Sequence, residues 1–394
     1  MSLGGVNAGG GGPAGVDFGA DRRRAHPAGV DIGADGRQMN LAGVDVGVDG
    51  RQMNLAGVDV GGGGIRVRIE AGGSIVSGDD ASPVPRVQGR VDLDRLAARI
   101  IRVIQNAVGG REIDRFAGMA IGTTGLPGLV PDPGTLWHAL RGRFGMGTLV
   151  VTGDMVTTHV GALGFRPGVV VAAGTGVITL GTDLDGVWNQ SDGWGYLLGD
   201  HGGGAWIGMR GLHAALRAHD GRTGGSPALL ERLTAHFGPP SELVTLVYAA
   251  GSAAHHFASF APAVGEAARD GDPVARQIWT EAGRQLGQTA LAAASGLDPV
   301  FSWGGRLFDA ADLLMEPFQS TVRTLLPEAR FEPPRGNSAD GALALARAAA
   351  DGSVRPHHPY VYVFTEATQD RPDSVRTGGT ERRRASAAAP EKTT

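Results

Sequence analysis

The sequence predicts an α/β fold made of two halves, because strands alternate with helices and each half contains a strand, a glycine turn and a second strand. The two turns are Gly61–Gly64 and Gly174–Gly176. A chain of 394 residues, 42% of them hydrophobic, is long enough to build two domains with a substantial core. Ligands of such folds gather at the carboxyl ends of the strands, so we expect the functional residues there.

Local patterns in the first half mark each element in turn. Apolar runs bounded by glycine or polar residues predict strands at Val58–Val60, Ile65–Ile69, Ser74–Val76, Ala117–Ile121 and Leu149–Val151. Apolar residues recur at helical spacing from Asp92 to Asn106. These elements define an N-terminal domain at residues 56–165.

The second half repeats the plan. Val169–Leu180 reads again as a strand, a glycine turn and a strand, and residues 227–296 are largely helical in pattern. The clearest helix begins with Asp272 as its N-cap and Pro273 in its first turn.

The last predicted elements are a strand at Val300–Trp303 and a helix at Ala339–Ala349. They complete a C-terminal domain that we place at residues 166–350. Residues 351–394 are expected to form a mostly flexible tail, in which only Tyr360–Phe364 has the pattern of an ordered element.

The N-terminal segment contains a repeat. The tetrapeptide AGVD begins at Ala14, Ala28, Ala42 and Ala56, a step of fourteen residues. This period is too short for a helical solenoid, and segments this rich in glycine, aspartate and arginine bury little apolar surface. We interpret residues 1–55 as disordered tandem copies of one element, of which the last copy continues into a strand. A misplaced translation start is the alternative.

Composition excludes several classes of function. The chain has no cysteine, which excludes disulfides, thiolate metal sites, iron–sulfur clusters and thiol nucleophiles. Lys392 is the only lysine, so a P-loop ATPase is excluded. A net charge of −4 gives no general attraction to nucleic acid, and no apolar stretch is long enough to span a bilayer. Because no secretory signal is evident, we expect a soluble, cytoplasmic protein that binds neither nucleic acid nor membrane.

Six segments carry the most specific pattern and together run from Gly57 to about Ala350. They read GVDVGGGGIRVRI, VTGDMVTTHVGALG, GTG, DGWGYLLGDHGGGAWIG, VFSWGGRLFDAADLL and NSADGALALA. The paired glycine turns resemble those of the actin/Hsp70/sugar-kinase fold, and the details resemble the N-acetylglucosamine kinase-like branch of the BadF/BadG/BcrA/BcrD ATPase family. The resemblance implies an α/β, two-domain actin-like (ribonuclease H-like) ATPase fold with an interdomain cleft.

The activity implied by this resemblance is the ATP-dependent phosphorylation of an amino sugar or related hexose, with ATP and Mg²⁺ as cofactors. Asp154 matches the catalytic aspartate and would act as general base towards the sugar hydroxyl. Asp59 matches the aspartate that would hold Mg²⁺ through water. The structural alternatives are a helix N-cap for Asp154 and a turn aspartate for Asp59.

The resemblance also assigns the nucleotide to three glycine segments. These are Gly61, Gly62 and Gly63 for the first phosphate turn, Gly174, Thr175 and Gly176 for the second, and Gly304 and Gly305 for adenosine. Thr175 would donate its hydroxyl to a phosphate; its alternative role is simple strand propensity.

Sugar binding is implied for Gly193, Trp194, Gly195 and Asp200, together with Asp154. An indole ring offers a flat face to sugar C–H groups, and a carboxylate can accept from two hydroxyls. A buried core position is the alternative for Trp194. We expect a small-molecule sugar and ATP as partners, with a homodimer as one option for the assembly.

Among the positions that depart from the family pattern, three keep a second function open. Gly63 replaces a hydroxyl-bearing residue of the first turn, His201 replaces an acid, and Gly203 replaces a serine. These changes favour a catalytically silent sensor that binds a nucleotide or sugar. The dehydratase-activator ATPases that share the family name need cluster-binding cysteines, which this chain lacks.

Overall fold

The computed structural model describes residues 53–249 and 253–366. The first three AGVD copies and the end of the predicted tail, residues 367–394, lie outside the described residues. The predictions for those segments therefore concern residues that the structure does not describe.

Strands and helices alternate through the described chain, as the sequence predicts. The strands are β1 (Leu55–Gly61), β2 (Gly64–Ala71), β3 (Ser74–Asp80), β4 (Arg86–Val87), β5 (Arg90–Val91), β6 (Arg115–Thr123), β7 (Gly145–Gly153), β8 (Gly168–Ala173), β9 (Val177–Thr182), β10 (Trp188–Asp192), β11 (Val300–Gly304), β12 (Arg330–Phe331) and β13 (Val361–Thr365). The α-helices are α1 (Leu93–Val108), α2 (Gly134–Arg143), α3 (Asp154–Leu163), α4 (Gly204–His219), α5 (Pro227–Phe237), α6 (Pro240–Ala249), α7 (Ala253–Arg269), α8 (Pro273–Ala293), α9 (Ala311–Leu325) and α10 (Ser338–Ala350).

The first sheet has six strands in the order β13-β7-β6-β1-β2-β3. Strands β1, β6 and β7 run parallel, and β2, β3 and β13 are antiparallel to their neighbours. Helix α1 covers one part of this sheet with a buried apolar stripe that includes Leu96, Ile100 and Ile104. Its N-cap, Asp92, accepts a hydrogen bond from the amide of Arg95 at 3.1 Å, which explains where the helix begins.

The second sheet has five strands in the order β10-β9-β8-β11-β12. Strands β8, β9 and β10 form an antiparallel meander, while β11 runs parallel to β8 and β12. Helix α8 begins as predicted: Asp272 accepts from the amide of Ala275 at 2.7 Å, and Pro273 stands in the first turn. Its apolar stripe is buried with the other helices of this half.

Helix α3 lies between the two sheets and contacts strands of both. Helix α10 follows the second sheet along the chain but packs on β1 and β6 of the first sheet, and against α3. The approach is very close at Gly118 of β6, where an added Cβ would lie 2.1 Å from the carbonyl oxygen of Ala346. Only glycine therefore fits at this crossing of helix and strand.

The last described strand extends the first sheet. Strand β13 pairs with β7, and just before it the carbonyl of Tyr360 accepts a hydrogen bond from the Thr152 hydroxyl at 2.7 Å. The predicted ordered segment Tyr360–Phe364 is thus a strand with a defined place at the sheet edge. Among the described helices, none combines the length and apolarity needed to span a membrane.

Candidate active site

The first glycine turn is a tight hairpin between β1 and β2. Gly61 pairs with Gly64, so Gly62 and Gly63 form an exposed tip. Gly64 has φ +123°, and an added Cβ there would lie 2.2 Å from the carbonyl oxygen of Asp80 on β3. The hairpin therefore needs glycine at this position, both for its backbone conformation and for the close approach of β3.

The second glycine turn connects β8 and β9 and is held by helix α4. The amide of Gly204 donates to the carbonyl of Gly174 at 2.8 Å, and the amide of Ala205 donates to the carbonyl of Thr175 at 2.9 Å. Within the described chain, no backbone acceptor is assigned to the amides of Thr175 and Gly176. A turn fixed through its carbonyls, with its amides available, can bind an anion.

The two turns face one another across the space between the sheets. A Cβ placed on Gly62 would lie 4.0 Å from the Thr175 hydroxyl oxygen. The two turns, more than one hundred residues apart in sequence, thus lie next to each other. We call the space between them the cleft.

Asp59 lies near the end of β1, two residues before the first turn begins at Gly61. Its carboxyl is buried, with 2% of the side chain exposed, and Arg66 on β2 approaches with its Nη2 atom 2.7 Å from Oδ2. The two groups form an ion pair at the base of the first turn. Burial raises the pKa of Asp59, against the charge of Arg66, which lowers it.

Asp154 is the first residue of α3 and follows the end of β7. Gly122 of β6 allows the start of this helix to pack closely, because an added Cβ would lie 2.2 Å from the Thr157 hydroxyl. Burial, followed by the negative charge of Asp59, raises the pKa of Asp154 to about 7. The N-cap alternative is not observed: Gly153 is the N-cap, and no side chain caps the helix.

Strand register explains why the two carboxylates share one edge of the sheet. Asp59 is paired with Gly122, and Thr123 is paired with Gly153, the residue before Asp154. Both carboxyls have pKa values raised by burial, and the charge of Asp59 raises that of Asp154 further, a pattern common at catalytic and cation-binding sites. Asp59 and Asp154 can together hold a divalent cation, or Asp154 can exchange a proton near neutral pH.

Asp200 lies under the second turn. The amide of Gly195 donates to its Oδ1 at 3.0 Å, and a Cβ on Gly176 would lie 2.1 Å from its Oδ2. Burial is the main cause that raises the pKa of Asp200 to about 6, and Asp192 adds a like charge. The backbone of Asp200 has φ 56°, a conformation that non-glycine residues rarely adopt.

Trp194 is not a core residue, because 71% of its side chain is exposed. It stands between Gly193 and Gly195, both with positive φ, in the loop that Asp200 and Asp192 hold by hydrogen bonds from backbone amides. The loop therefore presents the indole to solvent beside a buried carboxylate, an arrangement that can contact a polar ligand with an apolar face.

The third glycine segment lies at the end of β11 and approaches the last residue of β8, just before the second turn. A Cβ on Gly305, whose φ is +95°, would lie 2.1 Å from the carbonyl oxygen of Ala173. A Cβ on Gly304 would lie 2.4 Å from Cγ2 of Thr158 on α3. Trp303, by contrast, is half-buried against Phe308, with ring centroids 5.9 Å apart.

Two residues of the site were not assigned roles from the sequence. Arg66 pairs with Asp59 because a two-residue hairpin tip places them opposite each other, a relation that the glycine run itself indicates. Asp192 accepts hydrogen bonds from the amides of Gly193 and Asp200, at 3.0 and 2.6 Å. Its position before two glycines is typical of an aspartate that organises a turn.

The chain matches one family model and is similar in sequence to two named kinases. The family model described as "BadF/BadG/BcrA/BcrD ATPase family" matches residues 56–317. The chain is 28% identical over 254 residues to the N-acetylmuramic acid/N-acetylglucosamine kinase of Clostridium acetobutylicum, covering 61% of this chain and 81% of that protein. It is 35% identical over 136 residues to the N-acetyl-D-glucosamine kinase of Dictyostelium discoideum, covering 34% of this chain and 42% of that protein.

Among solved structures, the putative N-acetylglucosamine kinase from Chromobacterium violaceum matches with a TM-score of 0.57 and 27% identity, covering 75% of this chain and 99% of that chain. This likeness confirms the predicted α/β actin-like ATPase fold. Because the family model covers well over half of the sequence, the chain belongs to the BadF/BadG/BcrA/BcrD ATPase family.

Proposed function

We propose that this protein is an ATP-dependent sugar kinase whose acceptor is an amino sugar or a related hexose. One observation carries the proposal: the two glycine turns meet at Gly62 and Thr175, beside the carboxylates of Asp59 and Asp154. Phosphate-binding backbone from two sides, next to a carboxylate that titrates near neutral pH, suits phosphoryl transfer to a hydroxyl. The names of the similar kinases from C. acetobutylicum, D. discoideum and C. violaceum support the acceptor class.

Asp154 is the proposed general base. As the sugar hydroxyl oxygen forms its bond to the γ-phosphorus of ATP, its proton passes to the Asp154 carboxylate. The bond between that phosphorus and the β,γ-bridging oxygen breaks, and ADP leaves with the electron pair. A pKa of about 7 suits this role, because a base is most effective when its pKa is close to the working pH.

The glycine segments are the proposed nucleotide site. The free amides of Thr175 and Gly176, with the Thr175 hydroxyl, face the tip formed by Gly62 and Gly63, so phosphates can be held from both sides. Gly305 lies against Ala173, just before the second turn, and would let the adenosine approach the backbone beside the phosphates.

The cleft carboxylates fit a magnesium ion. Asp59 is buried, and its negative charge raises the pKa of Asp154, so the two carboxylates repel one another, as expected of carboxylates arranged for a cation. Mg²⁺ prefers a small number of carboxylates with water and phosphate oxygens as its other ligands. Asp59 would hold it, and when bound it neutralises charge on the β- and γ-phosphates.

The acceptor sugar is proposed to lie against Trp194, Gly193 and Gly195, with Asp200 binding its hydroxyls. The exposed indole and the buried carboxylate belong to one loop, because Gly195 donates to Asp200. The departure at Gly203 suits the packing of this loop. An added Cβ would lie 3.0 Å from the carbonyl carbon of Gly176, so a side chain there would press on the second turn.

The test is ADP release by the purified full-length protein with ATP, Mg²⁺ and a panel of amino sugars and hexoses. At least one sugar is expected to support turnover, and Asp154→Asn is expected to reduce it by a factor of about 10² to 10⁴ while ATP still binds. The matched control is Asp298→Asn. Asp298 is an exposed aspartate that precedes β11 and is not assigned to the site, so this variant should retain full activity.

A flat ADP signal with every sugar would refute the kinase. If sugars and nucleotides still raised the melting temperature, the catalytically silent sensor suggested by Gly63, His201 and Gly203 would be the better assignment.

A further inference from the structure

Arg66 occupies an unusual place on the face of β2 that pairs with α10. Strand alternation puts Arg66, Arg68 and Glu70 on one face, and each has an oppositely charged partner. Arg68 pairs with Asp340 at 3.0 Å and Glu70 pairs with Arg347 at 2.5 Å, both partners lying on α10. Arg66 alone of these three reaches into the cleft, where it meets Asp59.

The Arg66 guanidinium keeps donors available for another ligand. Its side chain is 52% exposed, although the Asp59 side chain it contacts is only 2% exposed. A guanidinium is a planar fork with several N–H donors, and the single close approach to Oδ2 leaves most of them free. The charge of Arg66 also acts beyond its partner, because it lowers the pKa of Asp154 as well as that of Asp59.

A nucleoside triphosphate brings several negative charges into this cleft, and a side-chain cation can add to the neutralisation that Mg²⁺ and backbone amides supply. The described residues include no lysine, and the tip of the first turn carries no side chain. Position 64 cannot supply one, because Gly64 has φ +123° and its Cβ would lie 2.2 Å from the Asp80 carbonyl. Arg66 is the first residue after the turn that carries a cation.

We propose that Arg66 binds the terminal phosphate of ATP, bridging it to Asp59 and stabilising the negative charge on the phosphoryl group during its transfer. This inference rests on the proposed kinase function and adds a catalytic residue to it. The planar guanidinium can donate two parallel hydrogen bonds to phosphate oxygens. Because its charge is already in position before the reaction, no group has to reorient as negative charge develops in the transition state.

The experiment compares the wild type with Arg66→Gln, Arg66→Lys and the control Arg68→Gln, which removes a charge two residues away on the same strand face. Calorimetry measures the affinity for ATP and for ADP in the presence of Mg²⁺, and ADP release measures kcat. For Arg66→Gln we expect ATP affinity to fall about tenfold and ADP affinity to change less than about twofold, with kcat reduced about 100-fold or more.

The lysine variant and the control separate this role from a structural one. Arg66→Lys keeps the charge beside Asp59 and should recover part of the ATP preference but little of kcat, because an ammonium lacks the planar fork. Arg68→Gln should match the wild type in the ATP-to-ADP affinity ratio.

Equal losses of ATP and ADP affinity in Arg66→Gln would overturn the proposal. An ATP-to-ADP affinity ratio and a kcat that both match the wild type would overturn it as well. If Arg66→Gln fails to fold, a lysine variant with wild-type kcat overturns it. An inactive wild type refutes the kinase itself, whereas an active wild type with unaffected Arg66 variants refutes only the role of Arg66.

Discussion

Gly62 and Thr175 face one another across the cleft, with a Cβ on Gly62 lying 4.0 Å from the Thr175 hydroxyl. Each residue is at the tip of a hairpin in a different sheet, so this contact depends on how α3 and α10 pack the two sheets together. The distance leaves room for a ligand group between the tips only if the two sheets separate slightly. We therefore expect the cleft to open to admit the nucleotide and to close again over it.

The first prediction concerns the pH dependence of activity. Because the pKa of Asp154 is raised to about 7, kcat/KM should rise with pH and level off above about pH 7, where the base is ionised. Asp59 contributes to this shift through its negative charge, so Asp59→Asn should move the acid limb of its residual activity to lower pH. An acid limb near pH 4 in the wild type would contradict the assignment of Asp154 as the base.

The second prediction concerns stability. Asp154 binds its proton more tightly in the folded chain than in the unfolded chain, so the wild type loses stability as pH rises from about 4 to about 7. Asp154→Asn lacks this loss and should be more stable than the wild type above about pH 7, by at most about 4 kcal/mol.

Urea unfolding of both proteins across this pH range measures the difference. The free energies of unfolding should converge below about pH 4, where the wild-type carboxyl is protonated in both states. A variant that is equally or less stable than the wild type at every pH would show that burial does not disfavour the charged Asp154.

The third prediction uses two glycines of the second turn. Gly176→Ala should destabilise the protein by about 1–3 kcal/mol and weaken ATP binding, because the new Cβ would lie 2.1 Å from Asp200 Oδ2. Gly174→Ala should change the free energy of unfolding by less than about 0.5 kcal/mol, since no atom lies within 4 Å of its added Cβ. Equal unfolding free energies for the two variants would argue against the packing of Asp200 under the turn.

The fourth prediction concerns the exposed indole. Trp194→Ala should leave the melting temperature unchanged, because 71% of the side chain is exposed, and should raise the KM for the sugar about tenfold without changing ATP affinity. Tyr248→Ala removes an aromatic side chain that is 87% exposed on α6, and serves as the control. If both variants have the same KM for the sugar as the wild type, Trp194 does not contact the acceptor.

Much of the local structure could be predicted from the sequence, because its causes are local. Helix α8 begins at Asp272 and Pro273 as expected, since capping and proline geometry act within one turn. The hairpin tips could be located from their glycines for the same reason. The exposure of Trp194 could not be predicted, because a tryptophan between glycines is compatible with both a core and a surface position.

By itself, the sequence determined the alternation of strands and helices, the two glycine hairpins, and the positions of Asp59 near the end of β1 and Asp154 directly after β7. These features depend on backbone preferences and on residues only a few positions apart. It also contained the family resemblance that the comparison confirms.

Only the tertiary structure decided that α10 and β13 return to the first sheet, that the two glycine turns meet at Gly62 and Thr175, and that Asp59 raises the pKa of Asp154. The physical reason is that packing, burial and charge interactions depend on distances between residues remote in sequence. A sequence pattern indicates which groups can ionise or bind, and the fold sets how closely they approach.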